Sequence, residues 1–159
     1  MTPYHPKHIK AKQLKDVQGT IVLTNGCFDI MHKGHIRCLE LAKKLGDVLV
    51  IATNSDHAIQ GLKGPTRPAL PESSRVYTLC SFPFVDHVIV EDQCRLDSLF
   101  NAIPRIDVYV KGGDYSMDTL DKQERAALEN HNPAFVFINI PDQPHTTDII
   151  NKLKGEKHD

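Results

Sequence analysis

Between Gly19 and Thr24 the chain runs through β-branched and apolar side chains. After a glycine-containing turn, apolar residues recur at Ile36, Leu39, Ala42 and Leu45, the three-and-four spacing of an amphipathic helix. Gly46 predicts the end of that helix. From Asp47 to Thr53 the apolar run is continuous rather than alternating, which predicts a strand covered on both faces and completes one βαβ unit. Gly61 to Pro71, GLKGPTRPALP, holds two glycines and three prolines and predicts a long loop, a feature that is usually functional when ordered. Beyond it the pattern predicts a helix over Glu72 to Cys80, a strand at His87 to Val90, a helix from Leu96 to Ile103 and a strand at Asp107 to Lys111. A polar surface helix from Leu120 to Asn130, a fifth strand from Phe135 to Ile140 and a last helix from Thr147 to Lys154, capped by Thr146 or Thr147, complete the alternation. Residues 1–18 read as a polar arm or short helix, 19–154 as the domain, and 155–159 as a frayed tail.

Strands alternating with helices imply an α/β fold with a doubly wound, five-stranded parallel sheet, because parallel neighbours need helical crossovers. Such sheets bind ligands at the carboxyl ends of the strands, near the reversal of strand order. The length of 159 residues suits one domain, and 40% hydrophobic with 25% charged residues is a globular composition. Nineteen Lys plus Arg against twenty Asp plus Glu give a net charge of -1, which removes the broad basic field of a nucleic-acid binder and makes any anion site local. The longest apolar runs, Val48 to Ala52 and Ala134 to Ile138, are five residues each, against the roughly 20 a membrane span needs. There is no apolar segment of the secretory type near the start. Cys27, Cys38, Cys80 and Cys94 are widely spaced without a C-x-x-C pair, so they read as plain thiols in a reducing, cytoplasmic setting.

The densest chemical signal is Thr24 to His35, TNGCFDIMHKGH, where the first strand gives way to the first long helix. Backbone N–H groups and the positive dipole end at a helix N-terminus suit phosphate. His32 and His35, three apart around Gly34, can face one side of the first helical turn and donate to oxygens that gain charge in a transition state. A zinc site would need third and fourth ligands that the neighbourhood does not supply. Lys63 and Arg67 in the Pro/Gly-rich loop read either as solvated cations or as phosphate ligands brought in when the loop closes. The KGGDY segment from Lys111 follows the fourth strand, where paired glycines permit either a plain turn or close approach to a ligand. Thr146 and Thr147 could cap the last helix, meet phosphates, or both. Asp29 could orient an acceptor or a Mg²⁺-bound water, or cap its own loop.

His32 to His35 resembles the H-x-G-H signature of the cytidylyltransferase-like nucleotidyltransferases. The wider NGCFDIMHKGH is most similar to the adenylyltransferase domain of bacterial ADP-heptose synthases. The likeness continues through TNSD at Thr53 to Asp56, LKGPTRP at Leu62 to Pro68, Arg75, VDHVIV at Val85 to Val90, VKGGDY at Val110 to Tyr115, and TTDII at Thr146 to Ile150. The resemblance implies a Rossmann-like fold in which an acceptor phosphate oxygen attacks the α-phosphorus of a nucleoside triphosphate in line. Pyrophosphate leaves, and no covalent enzyme intermediate forms. His32, His35 and Lys63 are then catalytic. Asn25, Gly26, Cys27, Phe28, Gly34, Lys111, Gly112, Asp114, Thr146 and Thr147 surround the nucleotide, and Asp29, Lys63, Arg67 and His145 meet the acceptor.

Mg²⁺ would be held mainly by the phosphates and water rather than by a protein ligand set. The implied acceptor is D-glycero-D-manno-heptose 1-phosphate, with ATP as donor, a homodimer as the assembly, and a separate kinase supplying the sugar 1-phosphate. One departure stands out: the family's G-I-S-T-T before the last helix is Gln143, Pro144, His145, Thr146, Thr147 here, with histidine in the serine position. A cytidylyltransferase acting on glycerol 3-phosphate or a similar polyol phosphate is the alternative within the class; its relatives carry GTFD where this chain has GCFD. A nucleotide-binding module without turnover is the alternative outside it.

Overall fold

The computed structural model describes residues 3–113 and 116–155. Five strands, β1 (Ile21–Gly26), β2 (Val48–Asn54), β3 (His87–Glu91), β4 (Val108–Gly112) and β5 (Ala134–Ile138), form one parallel sheet in the order β3-β2-β1-β4-β5. Six helices connect and flank them: α1 (Lys33–Lys43), α2 (Asp56–Lys63), α3 (Glu72–Ser81), α4 (Leu96–Ala102), α5 (Lys122–His131) and α6 (Thr146–Leu153). This is the doubly wound parallel sheet the alternation predicts and the Rossmann-like fold the resemblance implies, and its order reverses between β1 and β4.

The period-two geometry of the strands divides the core into two layers. Ile21 and Leu23 of β1 face one way with Val50, Ala52, Leu99, Phe100 and Tyr109, while Val22 faces the other with Leu49, Ile51, Leu39, Val76 and Leu79. All of these are buried, so both sheet faces are covered, as continuous apolar strands require.

The structure moves several expected boundaries. β1 starts two residues later and runs on to Gly26, so the glycine turn is partly strand. α1 ends at Lys43, and Leu45, expected on its apolar face, is 39% exposed. Gly46 follows the helix end rather than making it, and it packs where a Cβ would lie 2.6 Å from a Val22 methyl. α2 was not expected: Ser55 caps it by accepting from the Ala58 N–H at 3.2 Å, and Gly64, with φ 96°, ends it. The irregular loop therefore shrinks to residues 64–71, and Lys63 becomes the last residue of a helix. α6 begins at Thr146 with His145 as its N-cap residue, in place of the expected threonine.

Within the first 18 residues a short 3-10 helix, Ala11–Asp16, carries Leu14 into the core at 0% exposure. Just before it, Ile9 N–H donates to Val88 O at 3.0 Å and Val88 N–H donates to Lys7 O at 2.9 Å, docking the segment on the β3 edge. Among the described residues no helix is long and apolar enough to cross a membrane.

Candidate active site

The switch between β1 and β4 brings the end of β1 and the start of α1 to the carboxyl edge of the sheet. The connecting loop is held from beneath. Cys27 O accepts from the buried Arg75 guanidinium at 2.8 Å and from Thr53 Oγ1 at 3.1 Å. Phe28 adopts φ 47°, left-handed backbone that a bulky side chain rarely takes. Asp29 is 2% exposed, and its two oxygens accept from the Ala69 and Leu70 N–H groups and from Arg67 Nε, each at 2.9 Å. Burial pushes the Asp29 carboxyl up, but these donors and the Arg67 charge together outweigh it and hold the group below its ordinary value. Asp29 and Arg67 are thus bound to each other, and the pair fastens loop 64–71 to the loop before α1.

His32 is the N-cap residue of α1, and its Nδ1 accepts from the Gly34 N–H at 3.1 Å. His35 Nδ1 faces the His32 backbone N–H at 3.4 Å, and the two ring centroids lie 3.8 Å apart. Because both Nδ1 atoms face donors, each neutral ring carries its proton on Nε2, leaving two N–H donors side by side. Burial, and then the charges of His32 and Lys63, lower His35 to about 4. Burial, and then His145, lower His32. Both rings are therefore neutral donors near neutral pH. Gly34 is dictated by contact: a Cβ there would lie 2.7 Å from Gln143 Cγ and 3.0 Å from His32 Cε1.

The depressed His35 value sets a testable midpoint. In a proton NMR titration of the free protein, the His35 Cε1 proton is expected to shift near pH 4, well below an ordinary histidine, and a midpoint above 6 would contradict the buried geometry. Because the folded value lies below the unfolded one, the unfolded chain binds the extra proton first. Stability from this ring is thus present above about pH 6.5 and falls as the pH drops toward 4.

The remaining sequence-predicted residues divide into groups. Asn25, Gly26, Cys27, Phe28, His32, Gly34 and His35 gather at the end of β1, and Lys63 is near enough for its charge to act on His35. Asn25 Oδ1 accepts from the buried Tyr109 hydroxyl at 2.6 Å. The Thr146 hydroxyl donates to Ile30 O at 3.3 Å, tying α6 to the same loop, while Thr147 and His145 are exposed. On the β4 side, Lys111 is half-buried with Glu124 and Asp121 as its charged neighbours. At Gly112 a Cβ would lie 2.7 Å from Cys38 Sγ, so this glycine admits α1 packing. Asp114 lies outside the described residues. Sequence reasoning assigned no role to Arg75, Thr53, Tyr109 or Gln143, whose parts are long-range contacts.

No group of three or more His, Cys, Asp or Glu side chains placed to hold a metal ion occurs among the described residues. Asp29, the carboxylate of the loop beside the histidines, has its oxygens already engaged by three donors.

The structure is thus a Rossmann-like α/β sheet with two imidazoles side by side on the first turn of the helix at its switch point. Residues 23–152 match the cytidylyltransferase-like family model, and the chain belongs to that family. Among curated proteins it is 41% identical over 138 residues to the bifunctional protein HldE of Campylobacter fetus subsp. fetus, covering 86% of this chain and 28% of that protein. It is 38% identical over 159 residues to the bifunctional protein HldE of Helicobacter pylori, covering 98% of this chain and 33% of that protein. The chain thus spans about a third of the length of these relatives. A solved structure described as the lipopolysaccharide core biosynthesis protein from Thermoplasma volcanium superposes with a TM-score of 0.61 at 25% identity, over 80% of this chain and 100% of that one.

Proposed function

We propose that the chain transfers the nucleoside monophosphate of a triphosphate, by preference AMP from ATP, to a sugar 1-phosphate, by kinship D-glycero-D-manno-heptose 1-phosphate, with release of pyrophosphate. The observation that carries this reading is the pair of Nε2–H donors, 3.8 Å apart at their ring centroids, on the first turn of α1 at the sheet's switch point. An acceptor phosphate oxygen attacks the α-phosphorus in line. Negative charge grows on the equatorial oxygens and on the leaving pyrophosphate, where fixed neutral donors stabilise it without reorganising. His32 and His35 take this role, assisted by the Cys27 and Phe28 N–H groups and by the α1 dipole.

Lys63, at the end of α2, brings a mobile positive charge to the acceptor phosphate or to the β- and γ-phosphates. Asp29 acts by holding the loop. Arg67 keeps Nη2 buried without a partner, a donor that an acceptor phosphate would satisfy. Lys111, Gly112, Asn25 and the Thr146–Thr147 end of α6 complete the nucleotide side, and His145 adjoins it where the family usually has serine. Mg²⁺ would enter on the triphosphate, neutralising its charge and drawing electrons from phosphorus; the engaged Asp29 oxygens support phosphate and water as its ligands.

The kinship with the bifunctional HldE proteins, and the likeness to a protein named for lipopolysaccharide core biosynthesis, support an acceptor drawn from carbohydrate assembly. The reading carries with it a sugar kinase activity as supplier, a cytoplasmic location that the free thiols of all four cysteines support, and a homodimer. The test is pyrophosphate release from ATP, CTP, GTP and UTP, each crossed with sugar 1-phosphates and glycerol 3-phosphate. ATP with heptose 1-phosphate is expected to give the highest rate. Release only with CTP and a polyol phosphate would move the chain to the other branch, and tight nucleotide binding with no release from any pair would make it a binding module.

A further inference from the structure

Arg75 is the largest fully buried side chain, 1% exposed, and its guanidinium serves four pieces of chain at once. It donates to Cys27 O at 2.8 Å, to Thr53 Oγ1 at 3.0 Å, to Asn54 O at 2.8 Å, to Leu70 O at 3.1 Å and to the Asp56 carboxylate at 2.9 Å. Thr53, itself 0% exposed, donates its hydroxyl to the same Cys27 carbonyl. In a planar trans peptide the carbonyl and the following N–H point in opposite directions. Two buried donors that draw Cys27 O into the interior must therefore turn the Phe28 N–H away from it, toward the open carboxyl edge of the sheet. Two further observations agree. Phe28 holds φ 47°, a conformation that persists in a bulky residue only when its surroundings fix it, and its ring meets His35 edge-on at a centroid distance of 5.7 Å. Among the described residues the Phe28 N–H has no protein acceptor.

We infer that Arg75, acting with Thr53, is a positioning residue that aims the Phe28 backbone N–H as an anion donor for the pyrophosphate end of the triphosphate. The inference rests on the transfer reading above for the identity of that anion. The same grip on Asn54 and Asp56 holds the start of α2, whose last residue is Lys63, so one guanidinium sets both a backbone donor and the helix that delivers a cation.

Amide-resolved NMR with inorganic pyrophosphate as the probe tests this without requiring turnover. In the wild-type protein the Phe28 amide proton is expected to move downfield on saturation. Thr53→Val, which removes one of the two donors to Cys27 O while keeping the side chain's shape, is expected to weaken pyrophosphate binding by about three- to tenfold and to shrink the Phe28 shift. Arg75→Lys, which cannot bridge the same acceptors, is expected to weaken binding by more than tenfold. Should the lysine variant fail to fold, Thr53→Val decides. The inference is overturned if the wild-type Phe28 amide does not respond, if pyrophosphate does not bind, or if folded Thr53→Val binds it with unchanged affinity and an unchanged Phe28 shift. A responding Phe28 amide in a protein that transfers no nucleotide would instead overturn the transferase reading and leave this one standing.

Discussion

Replacing His35 with alanine is expected to lower kcat by on the order of 100-fold or more while leaving the fold intact, because it removes one of two fixed donors to oxygens that gain charge during transfer. The ring is neutral, with its value lowered to about 4 by burial first, so its contribution is a directed N–H and not a positive charge. That distinction has its own readout. Glutamine places an amide N–H close to where the imidazole Nε2–H stood, so His35→Gln is expected to recover part of the loss. Circular dichroism of both variants separates chemistry from folding. A loss of less than about fivefold in a folded alanine variant would put the stabilising group elsewhere.

Asp29→Ala is expected to be strongly destabilising. The carboxylate is 2% exposed and the Arg67 side chain only 11% exposed, so the substitution leaves a nearly buried guanidinium and two loop N–H groups without their acceptor. Breaking a buried pair on one side costs about 3 kcal/mol, equivalent in a domain of this size to a fall of about 10 °C in Tm. Loop 64–71 is expected to loosen with it, raising KM for the acceptor. A thermal melt combined with acceptor titration checks both effects, and unchanged values in both would show that the pair does not fasten the loop. The sign with pH follows from the same contacts. Because the folded Asp29 value lies below its ordinary one, its stabilisation is present above about pH 4 and is lost as the pH falls through the folded value. Acid should therefore weaken the protein in two stages, first through His35 between about 6.5 and 4, then through Asp29 below that.

The parts of this architecture that are local in sequence were readable before any coordinates. Continuous apolar runs such as Val48 to Ala52 announce strands buried on both faces, and their alternation with helical periodicity forces the parallel, doubly wound sheet. The histidine pair was legible because its spacing, its glycine and its position after a strand all lie within twelve residues, Thr24 to His35. What escaped reading depends on distance or on ambiguous punctuation. Arg75 reaches Cys27 across 48 positions, and Asp29 reaches Leu70 across 41, so neither partnership leaves a local pattern. α2 was hidden because Gly61 and the following prolines resemble loop, although Ser55 ahead of it and Gly64 behind it are ordinary cap signals. Leu14 stands alone in a lysine-rich stretch and gives no periodicity, yet it fills a place in the core. His145 became the α6 N-cap residue because the helix starts one residue earlier than its threonines suggested.

The most direct test of the central claim follows one atom. With ATP labelled at the α-phosphorus and heptose 1-phosphate as acceptor, the account requires the label to pass into the nucleotide sugar while unlabelled pyrophosphate appears in equal amount. Label recovered in ADP, or remaining wholly in ATP despite bound nucleotide and acceptor, would contradict it.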